Sequence, residues 1–160
     1  MDLIPTALTY LARYAASTSH LRLVLQRKVY RRAQRTDTEP PSQADLNAAI
    51  DAAVDRMTEL GLLNDREYAA SLARNYRNRG EPIGKIRLRL QAKGLPTDAI
   101  HQATQSLDDN ELDAALRYAK RKRLGPYRLR PGKPDQSQRD VASLCRAGFP
   151  LTIARKVITP

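Results

Sequence analysis

Apolar residues recur every three or four positions along most of the 160-residue chain, the spacing that places them on one face of an α-helix. One such stripe, which ends before Gly61, consists of Leu46, Ile50, Val54 and Met57. A second stripe follows that glycine and consists of Tyr68, Leu72 and Tyr76. The pattern predicts amphipathic helices that each bury one face.

Helix-end signals separate these two stripes. Ser42, with Asp45 three residues later, predicts the start of the first helix. Gly61 predicts its end in a left-handed conformation, and Asn64 with Glu67 predicts the start of the next helix through a capping box. These signals predict two helices joined by a short turn.

Residues 85–90 alternate between basic and apolar side chains, which fits a strand, although Ile86 and Leu90 also share one face of a helix. The helix is favoured because Lys93 then lies in its last turn and Gly94 follows it, whereas no hairpin turn with a partner strand is nearby. We therefore expect Leu90 to be buried in a helical core.

Comparison of the chain with itself reveals a repeat. Residues 85–96 recur as 139–150, each segment ending in glycine, an apolar residue and a proline that is expected to occupy the first position of a helix. A fainter copy covers 21–28, with Val29 in place of the glycine. Such units stack only on their neighbours, so the expected body is elongated and curved. The predicted fold is all-α, with three tandem three-helix repeats at 6–59, 60–107 and 108–159.

The chain is strongly basic, with 28 Lys and Arg against 17 Asp and Glu and a net charge of +11. Residues 36–67 form an acidic block between basic segments, so the positive charge is expected to collect on particular surfaces. This excess of positive charge favours a polyanion or an acidic protein as the partner.

The residues needed for most catalytic or metal sites are scarce. Cys145 is the only cysteine, which excludes an internal disulfide and leaves a buried, inert thiol as its expected state. The two histidines, His20 and His101, are far apart. No apolar run is long enough to span a bilayer, and residues 1–6 do not resemble a signal peptide. We expect a cytoplasmic, monomeric binding protein without catalytic residues, cofactor or metal.

One stretch has a specific resemblance. The residues GLLNDREYA at 61–69, followed by Arg74, Arg79-Gly80, Gly84, Ile86, Leu90 and Lys93-Gly94, resemble the central repeat of the RecX family, regulators of the RecA recombinase. The third repeat agrees at Arg146, Gly148, Phe149 and Val157-Ile158. The resemblance implies a helical three-repeat protein that binds the groove of the RecA nucleoprotein filament, blocks or caps it, and lowers strand exchange and coprotease activity.

The same resemblance implies a basic binding role for seven residues of the second repeat: Arg74, Arg77, Arg79, Lys85, Arg87, Arg89 and Lys93. A weaker candidate is the basic run at a predicted helix end: Lys120, Arg121, Lys122 and Arg123, for which complementing the helix dipole is the slightly favoured role. Tyr127, in the basic segment 125–138, is a candidate for base stacking.

Two functional hypotheses remain open. The first is a regulator of homologous recombination that binds the RecA–single-stranded DNA filament, with weak, salt-sensitive and sequence-indifferent binding to DNA. The second is a helical DNA-binding protein that acts without RecA, with Arg87 and Arg89 on a groove-reading helix. A nuclease is disfavoured, because Asp108, Asp109, Glu111 and Asp113 crowd the first turn of a helix instead of converging on a pocket.

Overall fold

The computed structural model describes residues 1–160, and it contains nine α-helices, one short 3-10 helix and no strand. The all-α prediction is confirmed. No helix is both long enough and apolar enough to cross a membrane. The helices are α1 (Ile4–Leu11), α2 (Thr18–Thr36), α3 (Gln43–Glu59), α4 (Asp65–Asn78), α5 (Ile83–Ala92), α6 (Thr97–Gln105), α7 (Glu111–Lys122), α8 (Gln136–Ala147) and α9 (Leu151–Ile158), with the 3-10 helix at Gly125–Tyr127.

The predicted helix starts are confirmed by their capping bonds. The Ser42 hydroxyl accepts the Asp45 N–H at 3.2 Å. The Asn64 side chain likewise accepts the Glu67 N–H at 3.1 Å. Gly61, with φ of 69°, follows α3 in the predicted left-handed conformation.

Pro96 was expected at the first helical position, but it is the N-cap of α6, and Pro150 is likewise the N-cap of α9. Their ψ values of 150° and 146° are extended, so the helix begins one residue later than predicted. The connection between α2 and α3 is short, because α2 continues to Thr36 and α3 begins at Gln43.

Each set of three consecutive helices encloses its own apolar core. The core of α1–α3 includes Leu21, Leu25 and Met57. The core of α4–α6 includes Ile86 and Leu90. The core of α7–α9 includes Leu144, Phe149 and Val157. Separate cores are expected of stacked helical repeats. The boundaries at 6–59, 60–107 and 108–159 stay a prediction.

Helices α8, α5 and α2 meet end to end in that order. At the joint between α5 and α2, the Ser17 and Ser19 hydroxyls donate to the Lys93 and Gly94 carbonyls at 2.6 and 2.8 Å. At the other joint, Pro82 at the start of α5 packs so closely on Gly148 that a Cβ there would lie 3.1 Å from the proline ring. At a rise of roughly 1.5 Å per residue, the row has a contour length of about 60 Å.

A second contact recurs at both joints. The Asp65 carboxylate, at the start of α4, accepts the Thr18 N–H of α2 at 2.8 Å. The Glu111 carboxylate, at the start of α7, accepts the Ile83 N–H of α5 at 3.2 Å. In both cases the carboxylate follows an asparagine N-cap and binds the first amide of the neighbouring unit's second helix. The two joints are therefore built alike.

The accessible surface of the molecule is 10365 Å². A compact monomer of its mass, 18.0 kDa, would expose roughly 8,000 Å². The excess agrees with an elongated body whose units contact only their neighbours.

Small-angle scattering tests this shape. A compact chain of this length has a radius of gyration of about 15 Å. We expect the measured value to exceed it clearly at concentrations where the protein is monomeric. A radius near the compact value would contradict the row of helices.

Gly80 marks a close approach between two units, and its substitution is predicted to be costly. A Cβ there would lie 2.5 Å from the Ala114 carbonyl oxygen and the Tyr118 backbone nitrogen, at φ of 82°. We expect Gly80→Ala to lower the free energy of unfolding by at least ~2 kcal/mol, measured by chemical denaturation.

Gly84→Ala provides the matched control, because this glycine lies in α5 and has no atom within 4 Å of its added Cβ. It should raise the stability by about 0.4–1 kcal/mol, because alanine lowers the conformational entropy of the unfolded chain. Similar effects of the two substitutions would show that the close approach at Gly80 is not rigid.

Candidate binding surface

Arg77 was predicted to bind a partner, but its side chain is only 2% exposed. Its guanidinium donates to the Glu111 carboxylate at 2.9 Å and to the Asp108 carboxylate at 3.0 and 3.2 Å. It also donates to the backbone carbonyls of Asp108 and Glu81 at 2.9 and 3.2 Å. The prediction for Arg77 is corrected, because this arginine joins α4 to the start of α7 and has no free donor face for a ligand.

The exposed face of α5 is centred on Leu88, which is 67% exposed. The 100° turn per residue places Arg87 on one edge of this face and Lys85 and Arg89 on the other. Leu90 is fully buried on the opposite side, as predicted. The face therefore combines an apolar centre with basic edges.

Arg87 and Arg89 are both exposed, as expected, but Arg89 is anchored more firmly. Its Nε lies 2.8 Å from Oε2 of Glu81, a carboxylate that is 6% exposed. The Arg89 guanidinium also lies over the Tyr76 ring, 5.1 Å from its centroid. The Arg87 Nε donates to the Thr104 hydroxyl at 3.3 Å. These supporting groups were not predicted, since only the fold brings them beside α5.

The remaining predicted basic residues of the second unit divide by exposure. Arg74, Arg79 and Lys93 are exposed and Lys85 is half-buried. None of the four forms an ion pair, so their charges are available to a partner.

The basic run at the end of α7 lies against the end of α4. The Arg121 Nε donates to the Arg79 carbonyl at 3.2 Å, and the Arg121 guanidinium lies 5.3 Å from the Tyr118 ring centroid. Lys120, Lys122 and Arg123 are exposed. Arg121 therefore has a structural contact, whereas the other three charges face solvent.

The segment after α7 is held by an ion pair between a partly exposed arginine and a buried carboxylate. Arg128 donates to the Asp140 carboxylate, with 2.9 Å between Nε and Oδ2, and the Gly125 N–H donates to the same oxygen at 2.8 Å. Burial tends to raise the pKa of Asp140, but the hydrogen bonds from Arg128, Gly125 and Gln136 outweigh it and hold this pKa below its ordinary value. The bond to Asp140 raises the pKa of Arg128.

Two other predicted side chains are partly covered. Tyr127 is half-buried against the core of α7–α9, which leaves it poorly placed for base stacking. Cys145 packs on the same core and is half-buried instead of fully buried. No group of three or more His, Cys, Asp or Glu side chains is placed to hold a metal ion.

Comparisons with known proteins place the chain in a family. No protein-family model matches it. The regulatory protein RecX of Myxococcus xanthus is 39% identical to it over 155 residues, covering 95% of this chain and 81% of that protein. The chain belongs to the RecX family of regulatory proteins. The resemblance seen in residues 61–94 is thus confirmed over nearly the whole length.

More distant RecX proteins agree. That of Chlorobaculum tepidum is 30% identical over 156 residues, which is 96% of this chain and 86% of that protein. That of Thermus thermophilus is 30% identical over 148 residues, with coverages of 92% and 87%. A crystal structure of a regulatory protein RecX matches with a TM-score of 0.61 at 22% identity, covering 96% of this chain and 68% of that one, and it shows the same fold.

Leucines on the two sides of α5 give a stability test. Leu90→Ala removes a fully buried side chain and should lower the free energy of unfolding by roughly 2–5 kcal/mol. Leu88→Ala changes an exposed side chain and should alter it by less than ~0.5 kcal/mol. Chemical denaturation of both variants measures the difference, and equal effects would contradict the orientation of α5.

The lowered pKa of Asp140 predicts a pH dependence. The ion pair stabilises the fold fully above the ordinary aspartate pKa of 3.8, and this contribution is lost as the pH falls below that value through the lowered pKa. We expect Asp140→Asn to lower the Tm by several degrees at pH 7. The difference in Tm between the parent and the variant should stay constant down to about pH 5 and close below about pH 4. A difference in Tm that is independent of pH down to pH 3 would contradict the ionised state of the Asp140 carboxylate.

Proposed function

We propose that this RecX-family protein binds the RecA nucleoprotein filament and lowers the ATPase, strand-exchange and coprotease activities of RecA. The observation that carries the proposal is membership of a family of regulatory proteins together with the exposed α5 face. We define the α5 face as Lys85, Arg87, Leu88 and Arg89.

The α5 face fits a protein–nucleic acid filament better than it fits a small ligand. It bears an exposed leucine between basic edges. An arginine binds phosphate or carboxylate groups through its planar fork, while the leucine can be covered by an apolar protein surface. The buried Glu81 and the Tyr76 ring restrict Arg89 before binding, which reduces the entropy lost on association.

We infer that the protein is not an enzyme, since its relatives are regulatory proteins and the α5 face contains no nucleophile or general base. The alternative of a groove-reading helix is less well supported. In helix-turn-helix proteins the N-terminal residues of the recognition helix contact the bases. Here the start of α5 packs on the end of α8, which leaves only the side of α5 for a partner.

A double charge reversal on the α5 face tests the proposal. Lys85→Glu with Arg87→Glu should abolish inhibition of RecA ATPase on single-stranded DNA at concentrations where the parent inhibits, because attraction becomes repulsion. Arg89 is left unchanged, since a glutamate there would face the buried Glu81 and destabilise the fold.

The matched control is Arg130→Glu with Arg155→Glu, two exposed residues outside the α5 face that carry the same charge change. The control should inhibit like the parent at the same salt concentration. If the folded α5 variant inhibits as well as the parent, the α5 face is not the binding surface. Binding to bare DNA that is as tight as binding to RecA-coated DNA would favour direct action on DNA.

A further inference from the structure

The second half of α2 carries a separate concentration of positive charge. The whole helix, Thr18–Thr36, contains no acidic residue. Five of its basic side chains are exposed and form neither an ion pair nor a side-chain hydrogen bond: Arg27, Lys28, Arg31, Arg32 and Arg35. The arginine nearer the helix start, Arg22, is instead paired with Asp51 of α3.

Four of these side chains lie around one open cleft. The cleft has a volume of about 550 Å³, and every residue that lines it is polar: Lys28, Arg31, Arg32, Arg35 and Thr36. We call it the α2 cleft. Its basic residues are spaced by three, four and seven positions, so they face the same side of the helix.

The helix dipole accounts for only part of this charge. Cations stabilise a helix C-terminus within the last turn, which includes Arg35 but not Lys28 two turns earlier. The carboxylates that follow, Asp37 and Glu39, pair with none of the five. The side chains therefore keep their charge and their donors for something outside the chain.

We propose that the α2 cleft binds the sugar–phosphate backbone of duplex DNA. Arginine forks match phosphate oxygens, and no apolar residue lines the cleft, which argues against an amphipathic helix or the apolar part of a bilayer as the occupant. No aromatic side chain lines the cleft, whereas surfaces for single strands usually stack bases on aromatic rings. A duplex offers phosphates while its bases remain stacked.

The dimensions fit a short run of phosphates. Lys28 and Arg35 are separated by about 10 Å along the helix axis at roughly 1.5 Å per residue. Phosphates of one strand follow each other every ~3.4 Å along a duplex. The cleft can therefore contact about three phosphates of one strand.

This site goes beyond the proposed function, because it needs no RecA and shares no residue with the α5 face. The central residue Arg31 lies about 20 Å along α2 from the joint with α5 at roughly 1.5 Å per residue. The α2 cleft and the α5 face can therefore be altered by separate substitutions.

The test removes three charges from the cleft. Arg31→Gln, Arg32→Gln and Arg35→Gln are combined, and glutamine preserves helix propensity. The control combines Arg130→Gln, Arg155→Gln and Lys156→Gln, three exposed residues elsewhere with the same charge loss. Fluorescence anisotropy then measures the Kd of a labelled duplex of about two helical turns between about 50 and 200 mM salt, without RecA. Circular dichroism and thermal unfolding verify that both proteins are folded.

We expect the cleft variant to bind the duplex at least ~10-fold more weakly at the lowest salt concentration. The slope of log Kd against log salt concentration should fall by roughly 2 to 3, because each phosphate contact contributes about 0.9. The control should change the Kd less than ~2-fold, because its charges lie away from the contact. The variant with Arg31→Lys, Arg32→Lys and Arg35→Lys keeps the charge and should keep most of the slope. If the glutamine variant fails to fold, Arg31→Gln alone should reduce the slope by about 0.9.

Four results would overturn the proposal. The first is a folded cleft variant that binds the duplex like the parent. The second is an equal loss of duplex affinity in the control, which would indicate that the net charge of the protein alone determines binding. The third is an equal or larger loss of binding to a single strand of the same sequence. The fourth is displacement of the duplex by polyglutamate at equal charge concentration, which would indicate an acidic protein as the partner.

Discussion

The Ser17 hydroxyl serves two helix ends at once, and the arrangement of the first two units depends on it. It accepts the His20 N–H at 3.2 Å, which caps the start of α2, and donates to the Lys93 carbonyl at 2.6 Å, which closes the end of α5. Helix ends leave amides and carbonyls without intrahelical partners, and Ser17 is itself fully buried. The joint therefore gives partners to a buried hydroxyl and to groups at two helix ends, and it aligns α2 with α5.

The features that could be predicted from the sequence are local. The cap at Asn64, the end at Gly61 and the buried Leu90 each depend on residues a few positions apart. The burial of Arg77 could not be predicted, because its partners Asp108 and Glu111 follow it by 31 and 34 residues. Nothing local distinguishes this arginine from its exposed neighbours.

The joints did leave a signal in the sequence. An asparagine followed directly by a carboxylate occurs at 64–65 and again at 110–111, and in both places the carboxylate binds the neighbouring unit. The pair identifies the start of two units more directly than the recurrence of 85–96 as 139–150. The α2 basic residues carried a signal as well, since nineteen consecutive helical positions include no acid.

Arginine has two different roles in this protein, and the nearest carboxylate decides between them. Where a carboxylate lies beside it, as at Arg77, Arg89 and Arg128, the guanidinium joins helices or is held in place. Where none is near, as at Arg31 and Arg32, it remains charged and uncompensated on the surface. Because both ends of α5 are covered by neighbouring helices, a partner can reach only the sides of the row. An extended partner can follow those sides from one unit to the next, so the end-to-end joints determine which charges a partner meets together.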